Sequence, residues 1–424
     1  MQKKIHVLIF PAGETNAVEL HDALATCVNV EVFGASSVER HGSYIFRNYL
    51  SGLPYITDAD FLTAFNALCV AHDIDLVLPT HDTVALYLAE NSDRLHARVL
   101  PNDARTARIC RDKKLTYETF ADTDFVPEMR DSAASAFPVF VKPRMGQGAV
   151  GAYKAEHPGQ LPENARDYVI SEYLPGEEYT VDCLTDRHGR LCVISPRSRG
   201  RVMAGISVAG KTECLTPEIE HIAHAINSRL SFLGLWWFQI KRDARGCWKL
   251  LEISARCAGT MGLTRATGVN LPLLSVYAAT GRDISVSPNP YRVTMDSTLI
   301  RRYRIDYKYT TVYFDFDDTL VINESVNIKM LCFLYQCKNN GKECILLSKH
   351  ENDILSSLSK YCIDKNIFSK IISIDHNEEK YTYILRDNSI FIDNSWHERQ
   401  SVATHTGIPV FDVDGVDALL DWRS

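Results

Sequence analysis

Residues 137–153 read FPVFVKPRMGQGAVGAY: an apolar strand carrying Lys142, a glycine-rich turn with Gly146, Gly148 and Gly151, and a return strand. Glycines let backbone N–H groups approach phosphate oxygens, and a lysine on the strand brings them positive charge. Alone, the stretch is equally a hairpin with a flexible tip and a surface lysine. Its downstream context favours the phosphate reading. In YVISEYLPGEEYTVD (168–182) a strand ends in Glu172, Tyr173 and Leu174, turns at Pro175-Gly176 and restarts at Glu178. A backbone edge beside an acid can hydrogen-bond a nucleobase, and a second carboxylate can take ribose hydroxyls. In WWFQIKRDARGCWKLLEISAR (236–256) two strands flank a turn at Asp243–Gly246, setting Gln239 opposite Glu252. Hard oxygen ligands of that kind suit Mg²⁺ bridging phosphates, and Arg256 follows on the same edge to balance phosphate charge.

Together with Asp112-Lys113, PVFVKP at 138–143 and PRSRGR at 196–201, these stretches resemble the ATP-grasp superfamily, in its carbamoyl-phosphate-synthetase-like and carboxylate–amine ligase branch. The resemblance spans about residues 1–305. It implies that Lys113 and Lys142 contact phosphates, Gly146 and Gly148 close over them, and Glu172, Tyr173 and Leu174 form the adenine hinge. It also implies Glu178 as ribose ligand, Gln239, Glu252 and Ser254 as magnesium ligands, and Arg256 as the transition-state arginine. The family usually has EINPR where this chain has Glu252-Ile253-Ser254-Ala255-Arg256, and serine is a poorer metal ligand than asparagine. The implied reaction phosphorylates a carboxylate with ATP, after which an amine displaces phosphate to give an amide. Arg197, Arg199 and Arg201 are candidates for the substrate carboxylate, because guanidinium forks match carboxylates bidentately; a solvated basic turn is the competing reading.

Before this region, apolar runs Ile5–Phe10, Val30–Phe33 and Leu76–Leu78 alternate with helical patterns Val18–Thr26, Phe61–His72 and Val84–Glu90. That alternation predicts a small parallel α/β layer over 1–100. The first strand leads into Pro11-Ala12-Gly13-Glu14, without the GxGxxG dinucleotide fingerprint. His81, after the strand ending at Pro79, reads either as a substrate-side base or, more simply, as a helix-start residue. Of the adjacent Trp236 and Trp237, at least one faces the core, since neighbouring strand residues point opposite ways.

Composition shifts near residue 300: no alanine occurs between Ala279 and Ala403. The join is expected near Ser287–Lys308, starting in Pro-Asn-Pro turn chemistry and continuing strand-like. Beyond it, TVYFDFDDTLV (311–321) ends an apolar strand in Asp315, with Asp317 two residues on. Two carboxylates above one strand end repel unless a cation intervenes, so the pair predicts a magnesium site with Asp315 as nucleophile and Asp317 as acid and base. The DxDxT pattern at Asp315–Thr319 resembles the haloacid-dehalogenase-like phosphohydrolases. That resemblance implies Ser348 as the phosphate-binding hydroxyl, Lys380 as partner of the aspartyl phosphate and Asp393 as the further metal ligand. Asn394 follows where a second aspartate is frequent, and Glu398 is the next acid. Thr319 and Ser348 are too close in sequence to admit an inserted cap domain.

The expected architecture is thus α/β: a parallel layer (1–100), a two-lobed ATP-grasp α+β domain (101–305) and a capless Rossmann-like haloacid-dehalogenase-type domain (306–424). The 424 residues carry a net charge of −7 with 46% hydrophobic content, which disfavours nucleic-acid or anionic-membrane partners and fits a globular chain. Twelve scattered cysteines without a CxxC pair fit reduced thiols in a cytoplasm. The reading is a bifunctional cytoplasmic ligase–phosphatase using ATP and Mg²⁺ on a small carboxylate and a small amine, one of them phosphorylated, with a homodimer in keeping with such ligases. A decorated sugar, surface polysaccharide or peptide-like metabolite suits its product. The alternatives are an acyl- or carbamoyl-phosphate-forming enzyme and a nucleotide-regulated binding protein with degenerate sites.

Overall fold

The computed structural model describes residues 3–101, 103–130, 136–146, 148–203, 206–298, 300–385, 387–421 and 423. The chain divides into two compact units, 1–299 and 300–423. The first unit opens with a five-stranded parallel sheet ordered Asn48–Leu50, Val30–Ala35, Ile5–Phe10, Leu76–Pro79, Arg98–Val99. Its central strands are mostly apolar, broken by His6 and Glu31, as suits a sheet covered on both faces. Helices Thr15–Leu24, Phe61–Ala71 and Asp82–Glu90 connect them. The chain leaves Ile5–Phe10 toward one edge and returns to its other side at Leu76–Pro79. The carboxyl ends of those two strands therefore border a crevice, the usual place for a ligand in such sheets.

Two antiparallel sheets follow. Val139–Pro143 lies between Tyr153–Ala155 and Tyr168–Glu172, while Glu178–Thr185 and Gly234–Arg242 lie between Leu191–Ser198 and Trp248–Ser254. Helix Pro217–Arg229 closes one side of the four-stranded sheet, its Ile219, Ile222 and Ile226 buried with Trp236, Phe238 and Leu250. Alternation decides the two tryptophans. Trp236 is fully buried, stacked on Phe232 with its indole N–H donated to Thr185, whereas Trp237 packs against the other core.

The boundary between the two units falls within 287–308, and the stretch before it contains a strand. Thr294–Asp296 pairs antiparallel with Ala209–Lys211, so this part belongs to the first unit. The second unit is again a five-stranded parallel sheet, ordered Lys370–Ser373, Glu343–Ser348, Thr311–Phe314, Ser389–Ile392, Val410–Phe411. Its chain order reverses about Thr311–Phe314, which sets Asp315 at the switch point. Among the described residues no helix is long and apolar enough to cross a membrane, and all twelve cysteines are free.

Candidate functional sites

In the first unit a cavity of about 330 Å³ is lined by both antiparallel sheets and by the segments that follow Ile5–Phe10 and Leu76–Pro79, at Glu14–Asn16 and Thr80–His81. Hairpin register does most of the positioning. Gln239 pairs directly with Glu252, so both side chains leave the same face, and both line the cavity. Lys113, from the start of helix Lys113–Thr119, reaches Glu252 at 3.4 Å and donates to the Gly146 carbonyl at 3.0 Å. Lys142 donates to the Tyr117 hydroxyl at 2.6 Å and to the Leu251 carbonyl at 2.8 Å. Burial, reinforced by the charge of Lys113, pulls the Lys142 ammonium down to about 7. Gly148 and Gly151 take φ of 59° and 73°, a left-handed turn that a side chain would strain.

Glu178 also lines the cavity, between Arg199 and Lys241, each at 3.2 Å. Arg256 lies in the wall over the Trp237 ring, 5.5 Å away. Its Nε and Nη2 donate to Asp82 at 2.9 and 2.7 Å. Burial works to raise the Asp82 carboxyl, but the Arg256 guanidinium holds it at about 2. Asp82 was not anticipated from sequence. The available signal was its place, directly after a strand of the parallel layer at the crevice.

Several of the expected site residues are engaged by partners within the protein. Ser254 does not line the cavity; its hydroxyl donates to Asp82 at 2.8 Å, because that anion is the nearer acceptor. Arg197 lines the cavity, with its guanidinium fork paired inside the protein. Its Nε and Nη2 donate to Asp182 at 2.8 and 3.0 Å, its Nη1 to Thr260, and it is buried. Arg201 pairs with Asp296 and lies outside the cavity lining. Glu172, Tyr173 and Leu174 are likewise absent from the lining: the Glu172 carboxylate accepts from the Glu128 N–H at 2.9 Å, Tyr173 lies under Lys154, and Leu174 is buried. Their neighbour Phe140 lines it instead. His81 does line it, as the cap of helix Asp82–Glu90 with Nδ1 accepting from Thr83 N–H, and burial lowers its basicity.

Asp182 is fully buried beneath this floor and also accepts from Thr264 at 2.7 Å. Asp182→Ala strands the Arg197 charge without water and is expected to cost about 3–5 kcal/mol in denaturant unfolding.

In the second unit a separate cavity of about 380 Å³ is lined by Asp315, Asp317, Lys380, Asp393 and Glu398 among others. Asp315 Oδ1 accepts from Ser348 at 2.9 Å and from Lys380 at 2.7 Å; Lys380 also donates to Asp393 at 2.6 Å. Thr319, fully buried, lies 3.5 Å from Asp315 and accepts from the Asn394 N–H at 3.2 Å. Burial raises the Asp315 carboxyl to about 6, with Lys380 opposing the shift. The pair's charge in turn holds Lys380 protonated against the effect of its own burial.

The Asp317 carboxylate turns to His350, with Nδ1 at 3.0 and 2.8 Å from its two oxygens. Among the described residues no three His, Cys, Asp or Glu side chains are grouped to hold a metal ion together. The space between Asp315 and Asp393 is bridged by the Lys380 ammonium. Glu398, 2.7 Å from Lys349, keeps its Oε2 buried and unpartnered at this cleft, which leaves a hard anionic oxygen to spare.

Residues 164–300 match a family model described as ATP-grasp in the biosynthetic pathway with Ter operon. D-alanine–D-alanine ligases of Thermotoga sp. strain RQ2 and Thermotoga maritima are each 30% identical over 142 residues, covering 30% of this chain and 47% of theirs. The chain thus spans about half the length of these curated relatives. Among solved structures, N5-carboxyaminoimidazole synthetase from Staphylococcus aureus with ADP superposes with a TM-score of 0.56 at 14% identity, covering 68% of this chain and 80% of that one. The L-amino acid ligase of Bacillus licheniformis gives 0.53 at 16%, covering 66% and 75%. The biotin carboxylase domain of Hydrogenobacter thermophilus 2-oxoglutarate carboxylase, with MgADP and bicarbonate, gives 0.55 at 14%, covering 68% and 72%.

Proposed function

We propose, from the family-model match over residues 164–300 and from the structural neighbours, that the first unit is of ATP-grasp type. From that premise, we propose that it is an ATP-dependent carboxylate–amine ligase, and that the second unit is a phosphate-ester hydrolase. The observation that carries the ligase reading is the convergence of Lys113, Lys142, Gln239, Glu252 and Arg256 on one cavity. Two lysines and an arginine spread the charge of a transferring phosphoryl group, and the glycine turn keeps water from the acyl phosphate. The donor chemistry of the amide–carboxylate pair Gln239 and Glu252 fits one Mg²⁺ shared with nucleotide phosphates, which it would neutralise. The bound carboxylate attacks the γ-phosphorus, ADP departs, and the amine displaces phosphate from the acyl carbon. ADP release that requires an acid and an amine together supports the ligase; release with acid alone indicates an acyl-phosphate-forming enzyme.

Lys142 supplies a pH signature. Free, it is mostly neutral above about 7; beside a polyphosphate its charged form is stabilised toward its ordinary 10.5. Nucleotide binding at pH 8 is therefore expected to take up close to one proton, and affinity is expected to fall as pH rises through this window. Titration calorimetry in buffers of different ionisation enthalpy measures the uptake, which Lys142→Met should abolish.

For the second unit the carrying observation is Asp315 at a strand end, gripped by Ser348 and Lys380. Asp315 is the nucleophile toward phosphorus, Ser348 and Lys380 hold the phosphoryl oxygens, and Asp317 gives and takes the proton. Lys380, paired with both Asp315 and Asp393, draws charge off the phosphoryl group. The phosphatase would remove a phosphate ester from the ligase's substrate or product. Joining both activities in one chain raises the local concentration of the shared compound.

A further inference from the structure

One histidine of the second cleft has no part in the chemistry described so far. His350 lies two residues beyond Ser348 with its side chain 9% exposed. Its Nδ1 contacts both oxygens of Asp317, at 3.0 and 2.8 Å, while Nε2 lies 2.7 Å from the Ser357 hydroxyl on helix Ile354–Lys360. Its ring meets Phe316 edge-on at 4.9 Å. The imidazole is thus fixed on three sides. Asp317, by contrast, is 55% exposed, and among the described residues no other side chain holds it. An exposed aspartate swings freely about its terminal torsion, and a general acid that swings loses much of its effect.

We propose that His350 is a positioning residue that fixes Asp317 for leaving-group protonation, and that this cleft is accordingly built for unactivated alkyl phosphate monoesters. The proposal rests on the phosphatase reading. A carboxylate oxygen of Asp315 bonds to phosphorus as the ester P–O bond breaks, and the departing oxygen takes the proton of the Asp317 carboxyl and leaves as the alcohol. Water then attacks phosphorus, giving one proton to the Asp317 carboxylate and keeping the other on the released phosphate, while the Asp315–phosphorus bond breaks. An alkoxide is too basic to leave unprotonated. A nitrophenolate leaves without help, so only alkyl esters need Asp317 held in place.

Leaving-group dependence separates this role from a structural one. The 424-residue chain with Mg²⁺ is assayed on glycerol phosphate and on p-nitrophenyl phosphate, as wild type, His350→Ala, His350→Asn and Ser357→Ala. His350→Ala should lower kcat about 100-fold on the alkyl ester with KM little changed, and by less than about threefold on the aryl ester. Asn places an N–H near the Nδ1 position and should restore most of the alkyl activity, and Ser357→Ala should show a smaller loss confined to the alkyl ester. Equal losses on both esters, or no loss on the alkyl ester, would overturn the proposal while leaving the phosphatase in place. Hydrolysis of neither ester by the wild type would overturn the phosphatase reading and this proposal with it.

Discussion

Glu252→Gln is expected to lower ADP release by about 10²–10³-fold while leaving the fold intact. Glu252 faces Gln239 across the hairpin and lies 3.4 Å from Lys113. Glutamine keeps its size and one oxygen but removes the anion on which both a cation and Lys113 rely. Two effects then act together. The metal-binding pair becomes neutral, and Lys142, whose charge Glu252 supports against burial, is discharged further. The side chain is 28% exposed, so unfolding free energy should move by no more than about 1 kcal/mol. A loss of stability matching the loss of turnover would instead mark Glu252 as structural. Steady-state ADP release alongside a denaturant melt separates the outcomes.

Asp315→Asn is expected to abolish phosphate-ester hydrolysis, by about 10³-fold or more, because an amide forms no phosphoryl-enzyme bond. Its fold should survive. Asn accepts the Ser348 and Lys380 hydrogen bonds through its carbonyl oxygen, and Lys380 keeps its ion pair with Asp393. Burial already disfavours the Asp315 anion, so neutralising the group removes little stabilising energy. Phosphate release from an ester and a melting curve on the same sample report the two quantities separately. Residual hydrolysis near the wild-type rate would remove Asp315 from the nucleophile's role.

Elements with a strong local signal were legible in the sequence. The apolar runs at Ile5–Phe10 and Ser389–Ile392 are strands, and the turn at Asp243–Gly246 joins the two strands that carry Gln239 and Glu252, which a register shift beside Gln239 sets opposite each other. Lys113, Lys142 and Glu252 line one cavity. What escaped depends on partners distant in sequence. Asp82 is a single acid after a strand, and only the fold brings it to Arg256 and Ser254. Arg197 carries the same fork as a substrate-binding arginine, yet Asp182 sits one strand away and consumes it. His350 follows Ser348 so closely that it reads as part of the loop, and its grip on Asp317 crosses between two strand ends. The strand-like character of the stretch holding Thr294–Asp296 was legible, but its pairing with Ala209–Lys211 is tertiary.

The most direct measurement is mass spectrometry of products formed by the Asp315→Asn variant of the 424-residue chain from Mg-ATP and a matrix of carboxylates and amines, each offered with and without a phosphate ester. Ligation on the first unit and hydrolysis on the second predict ADP only where acid and amine are present together. They also predict an amide retaining a phosphate that the wild type removes. ATP bound without ADP formation in any pairing would contradict the ligase, and a product of equal mass from variant and wild type would contradict the coupled phosphatase.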